Sequence, residues 1–436
     1  MRILVVGINY APDLIGVAKY TTELCEALAS FGHEVRVITA PPYYPAWKIP
    51  SSFRGLHYGH ELINGVSVTR SPIYVPQNPT GPKRLLHHLS FAMTSAWPVA
   101  VSALRKSPDI VLSVAPSLMS AAFPAWIGRR TGALTWLHLQ DFEVDAAFDL
   151  GLLSNRLLRK PMIAVEQRIL KSFDHLSTIS PQMAHRLTAK TSNSTIWELR
   201  NWTDTSQIAN AGYSSQLRDE LGLADSHFVA LYAGTMSNKQ GLELIVEAAR
   251  TLSQSAPNVR FVLSGAGPER INLQQLAVGL RNIQFLDLQP DLRFAQLLKT
   301  ADVHLIPQRA EAADLVLPSK LGGILASGKP VIVMAEPGTG LADEIESAGI
   351  RIAPGDSIAL AATINWLAQH PSLCSTLGDG AKATALARWD KHTILKGLMD
   401  RLEMLSSTRG RRLDDEPGIL PRKGPIRDGL SSNITK

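Results

Sequence analysis

MRILVVGINYAPDLIGVAKYTTELCEALASFGHEVRVITA, residues 1–40, decides the fold. Residues 2–8, RILVVGI, form a continuous run of branched and apolar side chains rather than an alternating one, which fits a strand buried on both faces. AKYTTELCEALASFG, 18–32, has the spacing of an amphipathic helix and stops at Gly32, after which HEVRVITA, 33–40, gives a second strand. Strand, helix and strand in this order make the unit of a parallel sheet joined by right-handed crossovers.

The alternation continues through VSVTRSPI (66–73), the long apolar segment 85–106, DIVLSVAP (109–116), LTWLHLQD (134–141) and HLSTIS (175–180). TIWELRNWTDTSQI, 195–208, reads as a last strand and a linker. The grammar then restarts at FVALYAGT (228–235), runs through VRFVLSGAG (259–267), IQFLDL (283–288), DVHLIPQ (302–308) and the helix and strand of PSKLGGILASGKPVIVM (318–334), and fades by residue 370. The expected architecture is α/β, with two doubly wound, Rossmann-like domains of residues 1–203 and 204–405 facing a cleft, the last helix packing back on the first domain. Such sheets bind ligands beyond the carboxyl ends of their strands. Residues 406–436, rich in Arg, Asp, Gly and Pro, are expected to be a disordered tail.

The chain has 436 residues, 45% hydrophobic and 19% charged, an ordinary globular composition. Cys25 and Cys374 fall far apart in helix-like segments, so neither a disulfide framework nor a zinc site is implied. The apolar run at the start is shorter than a signal peptide needs, and no run of 18 apolar residues predicts a membrane span. The cytoplasm is the expected compartment. Charge is uneven: residues 1–200 hold 20 basic against 13 acidic side chains, residues 201–405 hold 17 against 21, and the tail holds 7 against 4. A basic first half suits an anionic partner or a merely solubilising surface.

Four stretches have the residue types for chemistry. The loop GINYAPDLIGVAKY, 7–20, enters a helix through Gly16, where backbone amides can receive a phosphate; it fits an unliganded turn as well, and it is not the G-x-G-x-x-G dinucleotide pattern. YAGTMSNKQGLE, 232–243, ends a strand at Gly234 and has Lys239 and Gln240 beside a helix start, a setting suited to a diphosphate. In PSKLGG, 318–323, a capping Ser319 would bring its hydroxyl and free amides to the same point as Lys320, and Gly322 and Gly323 would admit something bulky or allow tight packing. The two glycines need such a reason, since each costs a helix interior about 1 kcal/mol. WLHLQDFEVDAAF, 136–148, places His138 and Asp141 at the carboxyl end of a strand, facing the expected cleft; a structural His138 fits equally well. DFEVD lacks the compact D-x-D of a metal–diphosphate clamp, and no His/Cys/Glu cluster suggests a metal.

Together these positions resemble a retaining glycosyltransferase of family 4 with the GT-B fold, over nearly all of residues 1–405. The glycine loop with its GHEV strand (32–35), the LRNWTD segment (199–204), the KQGLE element (239–243) and SGAGP (264–268) carry the resemblance in order. ITAPPYYP (38–45), LHLQDFEVDA (137–146) and AADLVLPSKLGGILASGKPV (312–331) look like members that build exopolysaccharide of the colanic-acid type and are described as fucosyltransferases. The chain departs from the family where a Glu-x7-Glu pair is usual: those positions are Leu315 and Gly323. The usual Arg and Lys of the second domain fall on Thr235 and Gln240.

The resemblance implies transfer of a sugar, with retention, from a nucleotide-sugar donor, GDP-fucose among the candidates. The acceptor would be a polyprenyl-diphosphate-linked glycan at the anionic inner face of the plasma membrane, with no nucleic acid and no metal. It implies His138, Asp141 and Lys320 as catalytic groups, and Gly16, Gly234, Lys239, Gln240, Ser319, Lys320 and Gly323 as donor-binding. A nucleotide-sugar 2-epimerase and a non-catalytic nucleotide-sugar binder are the alternatives. The segment 81–106, with Lys83 and Arg84 at one end and Arg105 and Lys106 at the other, is the expected membrane-facing element.

Overall fold

The computed structural model describes residues 1–13, 16–55, 57–144, 159–191, 195–212, 214–309 and 317–414. The first sheet holds β1 (Arg2–Gly7), β2 (Glu34–Thr39), β3 (Gly59–Ile63), β4 (Val66–Arg70), β5 (Ile110–Ala115), β6 (Leu134–Leu139), β7 (His175–Thr178) and β8 (Thr195–Glu198). Its order is β3-β4-β2-β1-β5-β6-β7-β8. The second holds β9 (Phe228–Ala233), β10 (Val259–Ser264), β11 (Ile283–Leu286), β12 (Val303–Ile306), β13 (Val331–Met334) and β14 (Gly349–Ile352), in the order β11-β10-β9-β12-β13-β14. Each sheet grows one way from its first strand and then reverses, so a topological switch point opens beside β1 and another beside β9. The ligand-binding positions of a doubly wound sheet are thereby fixed.

The parallel strands read as unbroken apolar runs because both faces are covered: every residue of β5, β6, β12 and β13 is buried. One strand departs from the expected pattern. β3 pairs antiparallel with β4, and the turn between them, Asn64-Gly65, has positive φ at both residues (47° and 83°). Asn-Gly is the strongest short hairpin signal, because both residues tolerate this left-handed geometry.

Helix α1 (Val17–Ser30) follows β1, α2 (Gly81–Arg105) crosses from β4 to β5, and α3 (Leu118–Arg130) joins β5 to β6. The last helix, Lys391–Asp414, returns to the first half: Leu395, Leu398, Met399 and Leu402 share a core with Tyr20, Trp197 and Trp202. The backbone stays helical through 406–414, where the sequence suggested a disordered tail, and residues 415–436 lie outside the described part.

The halves are pinned at Glu344, in the short helix Gly340–Glu344, whose side chain is 2% exposed. It accepts from Arg200 Nη1 at 2.9 Å and from Trp389 Nε1 at 2.6 Å, and pairs with Arg388 at 3.2 Å. Arg200 comes from the end of the first half, while Arg388 and Trp389 end the helix Pro371–Arg388 and its cap. Removing one partner of a buried ion pair leaves charge uncompensated. Glu344→Ala is therefore expected to lower stability by about 3–5 kcal/mol in urea unfolding followed by circular dichroism.

Candidate active site

The carboxyl ends of the two sheets face each other. A hollow between them is lined by Ser180 and Gln182 after β7, Gln308 and Leu317 after β12, and Thr339, Gly340 and Leu341 after β13. A side chain on Gly340 would run into the Gln182 amide, so this glycine permits the close approach of the two halves.

At the second switch point the backbone turns sharply after β9. Gly234 has φ 153°, and Gly265 and Gly267, after β10, have φ 149° and 155°. Side chains on Gly265 and Gly267 would collide with the carbonyls of Gly234 and Met236, so the two loops lie backbone to backbone. Lys320 reaches into this corner. Its Nζ lies 4.0 Å from the centre of the Tyr232 ring and 3.1 Å from where a side chain on Gly234 would begin. Among the described residues it has no carboxylate partner, and burial pushes its ammonium down to about 7. An unpaired, partly desolvated cation beside a glycine is ready to take an anion.

The remaining donor-side residues divide. Gly234 and Lys320 come together as expected. Gln240 ends a single 3-10 turn, Asn238–Gln240, closed by Gly241 in the left-handed region at φ 62°; the side chain of Lys239 lies outside the described part. Arg309, which sequence reasoning passed over, bonds the Asn238 carbonyl at 2.8 Å and pairs with Glu243, tying the loop after β12 to this turn. Gly16 is exposed, with φ 61° and open space around it, at the start of α1.

Two expectations are corrected. Ser319 does not cap the next helix: the helix is Leu321–Ala326, the residue at the capping position is Lys320, and no side chain bonds there. Gly322 and Gly323 are buried in the domain core rather than open to a ligand. A side chain on Gly322 would meet Thr203 Oγ1 and, at 2.8 Å, the Trp389 ring; one on Gly323 would touch Ile208 and Leu298 at 3.5 Å. The helix is short and glycine-rich because it packs against the interdomain joint.

His138 is also placed differently. It is 4% exposed, with Nδ1 2.9 Å from Ser177 Oγ and Nε2 3.0 Å from the Gln140 amide, and burial pushes it down to about 4. Its ring is enclosed between Ser177 and Gln140 at the end of a strand covered on both faces. It instead steadies Gln140, whose amide exchanges two 3.0 Å hydrogen bonds with Asn201 at the start of the linker. Asp141, just beyond the strand, is exposed, and its Oδ1 accepts from the Phe142 amide at 2.8 Å. Its charge acts on Glu143, beside which His88 and Tyr43 lie; only their place after strands or on α2 could have flagged these three in sequence.

Two facing Rossmann-like sheets, each with a glycine turn at its switch point, make the GT-B architecture. The chain belongs to the glycosyltransferase family described by the glycosyl transferase 4-like domain, matched over residues 16–195, and by glycosyl transferases group 1, matched over 227–370. It is 37% identical over 406 residues, 91% of this chain and 98% of the relative, to the Escherichia coli K12 protein that bears the name colanic acid biosynthesis glycosyl transferase WcaI. It is 24% identical to the glycogen synthase of Mycobacterium tuberculosis, over 94% of this chain and 96% of that one. Among solved structures, Anabaena HepE in complex with UDP superposes with a TM-score of 0.66 at 18% identity, covering 93% of this chain and all of that one. Sucrose-phosphate synthase from Thermosynechococcus elongatus gives the same TM-score at 17% identity, covering 94% of this chain and all of its own.

The two glycines offer a check on this packing. Gly322→Ala is expected to cost about 1–3 kcal/mol by overpacking. Gly323→Ala, with room for a methyl group, is expected to be neutral or to stabilise by up to about 1 kcal/mol, both read from thermal unfolding.

Proposed function

We propose that the chain transfers a glycosyl residue, with retention of anomeric configuration, from a nucleoside-diphosphate sugar to a growing exopolysaccharide of the colanic-acid type, GDP-fucose being the first donor to assay. The observation that carries the reading is Lys320, an ammonium without a carboxylate partner among the described residues, set against the glycine turn after β9. As the bond from the sugar to the diphosphate lengthens, negative charge gathers on the departing oxygen. A fixed cation at that point stabilises the transition state more than the ground state. Gly234 leaves the backbone bare, and Gln240, Lys239 and the amides of that turn complete the donor side. Gly16 faces the donor from the first domain, and Asp141, exposed beyond β6, belongs to the acceptor side. Among the described residues no group of three or more His, Cys, Asp or Glu could hold a metal, and the reading assigns charge neutralisation to Lys320 together with Lys239 and the backbone amides.

Lys320 is charged below its lowered value near 7 and neutral above it, so the free enzyme binds a diphosphate best in the charged form. Affinity for GDP or UDP, measured by titration calorimetry in EDTA, is expected to fall as pH rises from 6 to 8.5, and to be flat in Lys320→Ala. The same substitution is expected to lower kcat by about 10²–10³ with the fold retained. Activity within about tenfold of the unaltered enzyme would remove Lys320 from the mechanism.

We extend the reading to a lipid-linked acceptor at an anionic membrane, supported by α2. No described helix is long and apolar enough to cross a bilayer. One stripe of α2, His87, Phe91, Ser95, Val99 and Ala103, is buried. The other face exposes Leu85, Leu89, Met93 and Trp97 at four-residue spacing, with Met93 70% and Trp97 68% exposed. Lys83 precedes the stripe and Arg105 and Lys106 follow it, all three exposed. Each basic side chain near an anionic surface contributes about 1 kcal/mol, and leucine and tryptophan enter the interface. Co-sedimentation with phosphatidylserine vesicles is expected at low salt, with loss at high salt, on neutral vesicles, or in a Met93→Glu, Trp97→Glu double variant; equal negligible binding to both vesicle types would overturn this.

A further inference from the structure

Beside the cleft, on the first domain, lies a cluster that the donor chemistry does not use. Four separate segments build it: the loop after β1, the loop after β2, the first turns of α2, and the turn after β6. The Glu143 carboxyl is held from two sides, accepting from the Leu118 amide at the start of α3 at 2.9 Å and lying 3.4 Å from His88 Nε2. The His88 ring stacks edge-on against His87 at 5.2 Å, and His87 in turn meets Tyr43 at 4.7 Å and Trp47 at 5.2 Å. Tyr43 accepts at its hydroxyl from the Asn9 amide at 3.2 Å. His87 Nδ1 donates to the Tyr74 carbonyl at 2.6 Å, which leaves Nε2 as a bare acceptor, buried with no partner among the described residues. His88 Nδ1 is orphaned in the same way.

Such an arrangement is costly for folding alone. Each buried orphan polar atom costs on the order of a hydrogen bond, and Trp47 sits at φ 50°, a conformation bulky residues rarely adopt. Strain of this kind concentrates at ligand sites. The Glu143 side chain keeps about a fifth of its surface open, at 22%, and Tyr44, the residue after Tyr43, is 43% exposed. A largely buried carboxyl with a fifth of its surface open beside aromatic rings, at the carboxyl edge of the sheet, has the composition of a carbohydrate site: an apolar wall with few, fixed polar groups.

We propose that this cluster is the acceptor subsite, in which Trp47 and Tyr44 flank a neutral sugar ring and the Glu143 carboxyl, backed by His88 and the Leu118 amide, hydrogen-bonds one of its hydroxyls. The proposal rests on the transferase reading above and names the substrate class of its acceptor side. Neutrality follows from the surroundings. Burial, reinforced by the charge of Asp141, raises Glu143 to about 8, and burial with Arg84 nearby lowers His88 to about 3, so the pair is uncharged at pH 7. The groups facing it are Asp141 in its own turn, His87 and Arg84 on α2, and Tyr43 after β2; Arg186 and Lys190 lie over the adjoining Phe142 ring. Arg84 lies over Trp47, its guanidinium 5.3 Å from the ring centre, and the charge of Asp141, which already raises Glu143, disfavours a uronate at the same place.

The test uses the full chain saturated with GDP or UDP and, as probes, neutral para-nitrophenyl hexopyranosides, with para-nitrophenyl glucuronide as the charged control. Saturable binding of at least one neutral hexoside is expected, weakened about tenfold in Glu143→Ala and within about threefold in Glu143→Gln at pH 7. Above pH 8 the unaltered protein should lose affinity as Glu143 ionises and gives up its donor, while the Gln variant stays flat. Trp47→Ala, in a surface loop, should weaken binding without touching nucleotide affinity. Unchanged binding in Glu143→Ala, preference for the glucuronide, or no hexoside binding by a protein that binds nucleotide would overturn the subsite. Failure to bind either nucleotide would instead remove the transferase reading on which it stands.

Discussion

The buried carboxylate of Glu344 sets the geometry on which the cleft depends. It gathers an arginine from the end of the first domain and an arginine and a tryptophan from the segment that crosses back to it. A charge this deeply buried is tolerable only when its partners satisfy it, so the chain segments that supply them are held in register. The same joint carries Thr203, whose amide bonds the Trp389 carbonyl at 2.8 Å, and Trp202, whose indole bonds Glu23 at 2.6 Å on α1. The two sheets therefore meet with their carboxyl ends opposed, and the loops at both switch points look into one space.

Within that space the first requirement is bare backbone. Gly234, Gly265 and Gly267 stand where side chains would collide, and Gly340 lets the opposing loops approach across the cleft. Lys320 depends on this arrangement, because its ammonium occupies the room that a side chain on Gly234 would take. Its unusual protonation follows from the same packing: partial burial against Tyr232, with no carboxylate among the described residues to hold the charge. The joint also explains the glycine pair after Lys320, which serves helix packing on Trp389 and Thr203. Helix packing and the proposed donor cation thus meet within four residues of chain.

Much was legible in sequence, and for a local reason. Parallel strands covered on both faces must be continuously apolar, so β1, β5, β9 and β13 announce themselves, and Gly32 and Gly328 mark where helices end. The Asn64-Gly65 hairpin was also readable in principle, yet β3 before it went unread because its residues lack the continuous apolar run of the buried strands. Lys320 and Gly234 were singled out because a cation near a helix start and a glycine at a strand end are local signals, and the structure brings the two together. Ser319 was misread as a cap, and Gly322 and Gly323 stood open between ligand approach and tight packing, because their meaning lies in what packs against them.

Sequence by itself determined two Rossmann-like sheets, the family, and the positions of the switch-point loops, since periodicity and turn residues act over a few neighbours. Tertiary structure alone decided which polar groups reach the cleft. His138 and Asp141 are three residues apart at the end of one strand, and one is sealed behind Ser177 and Gln140 while the other is exposed. Glu143 and His88 are 55 positions apart and meet only because α2 crosses over the sheet edge. Burial and electrostatic environment are properties of the assembled neighbours, and it is these that set the charge of Lys320 and Glu143.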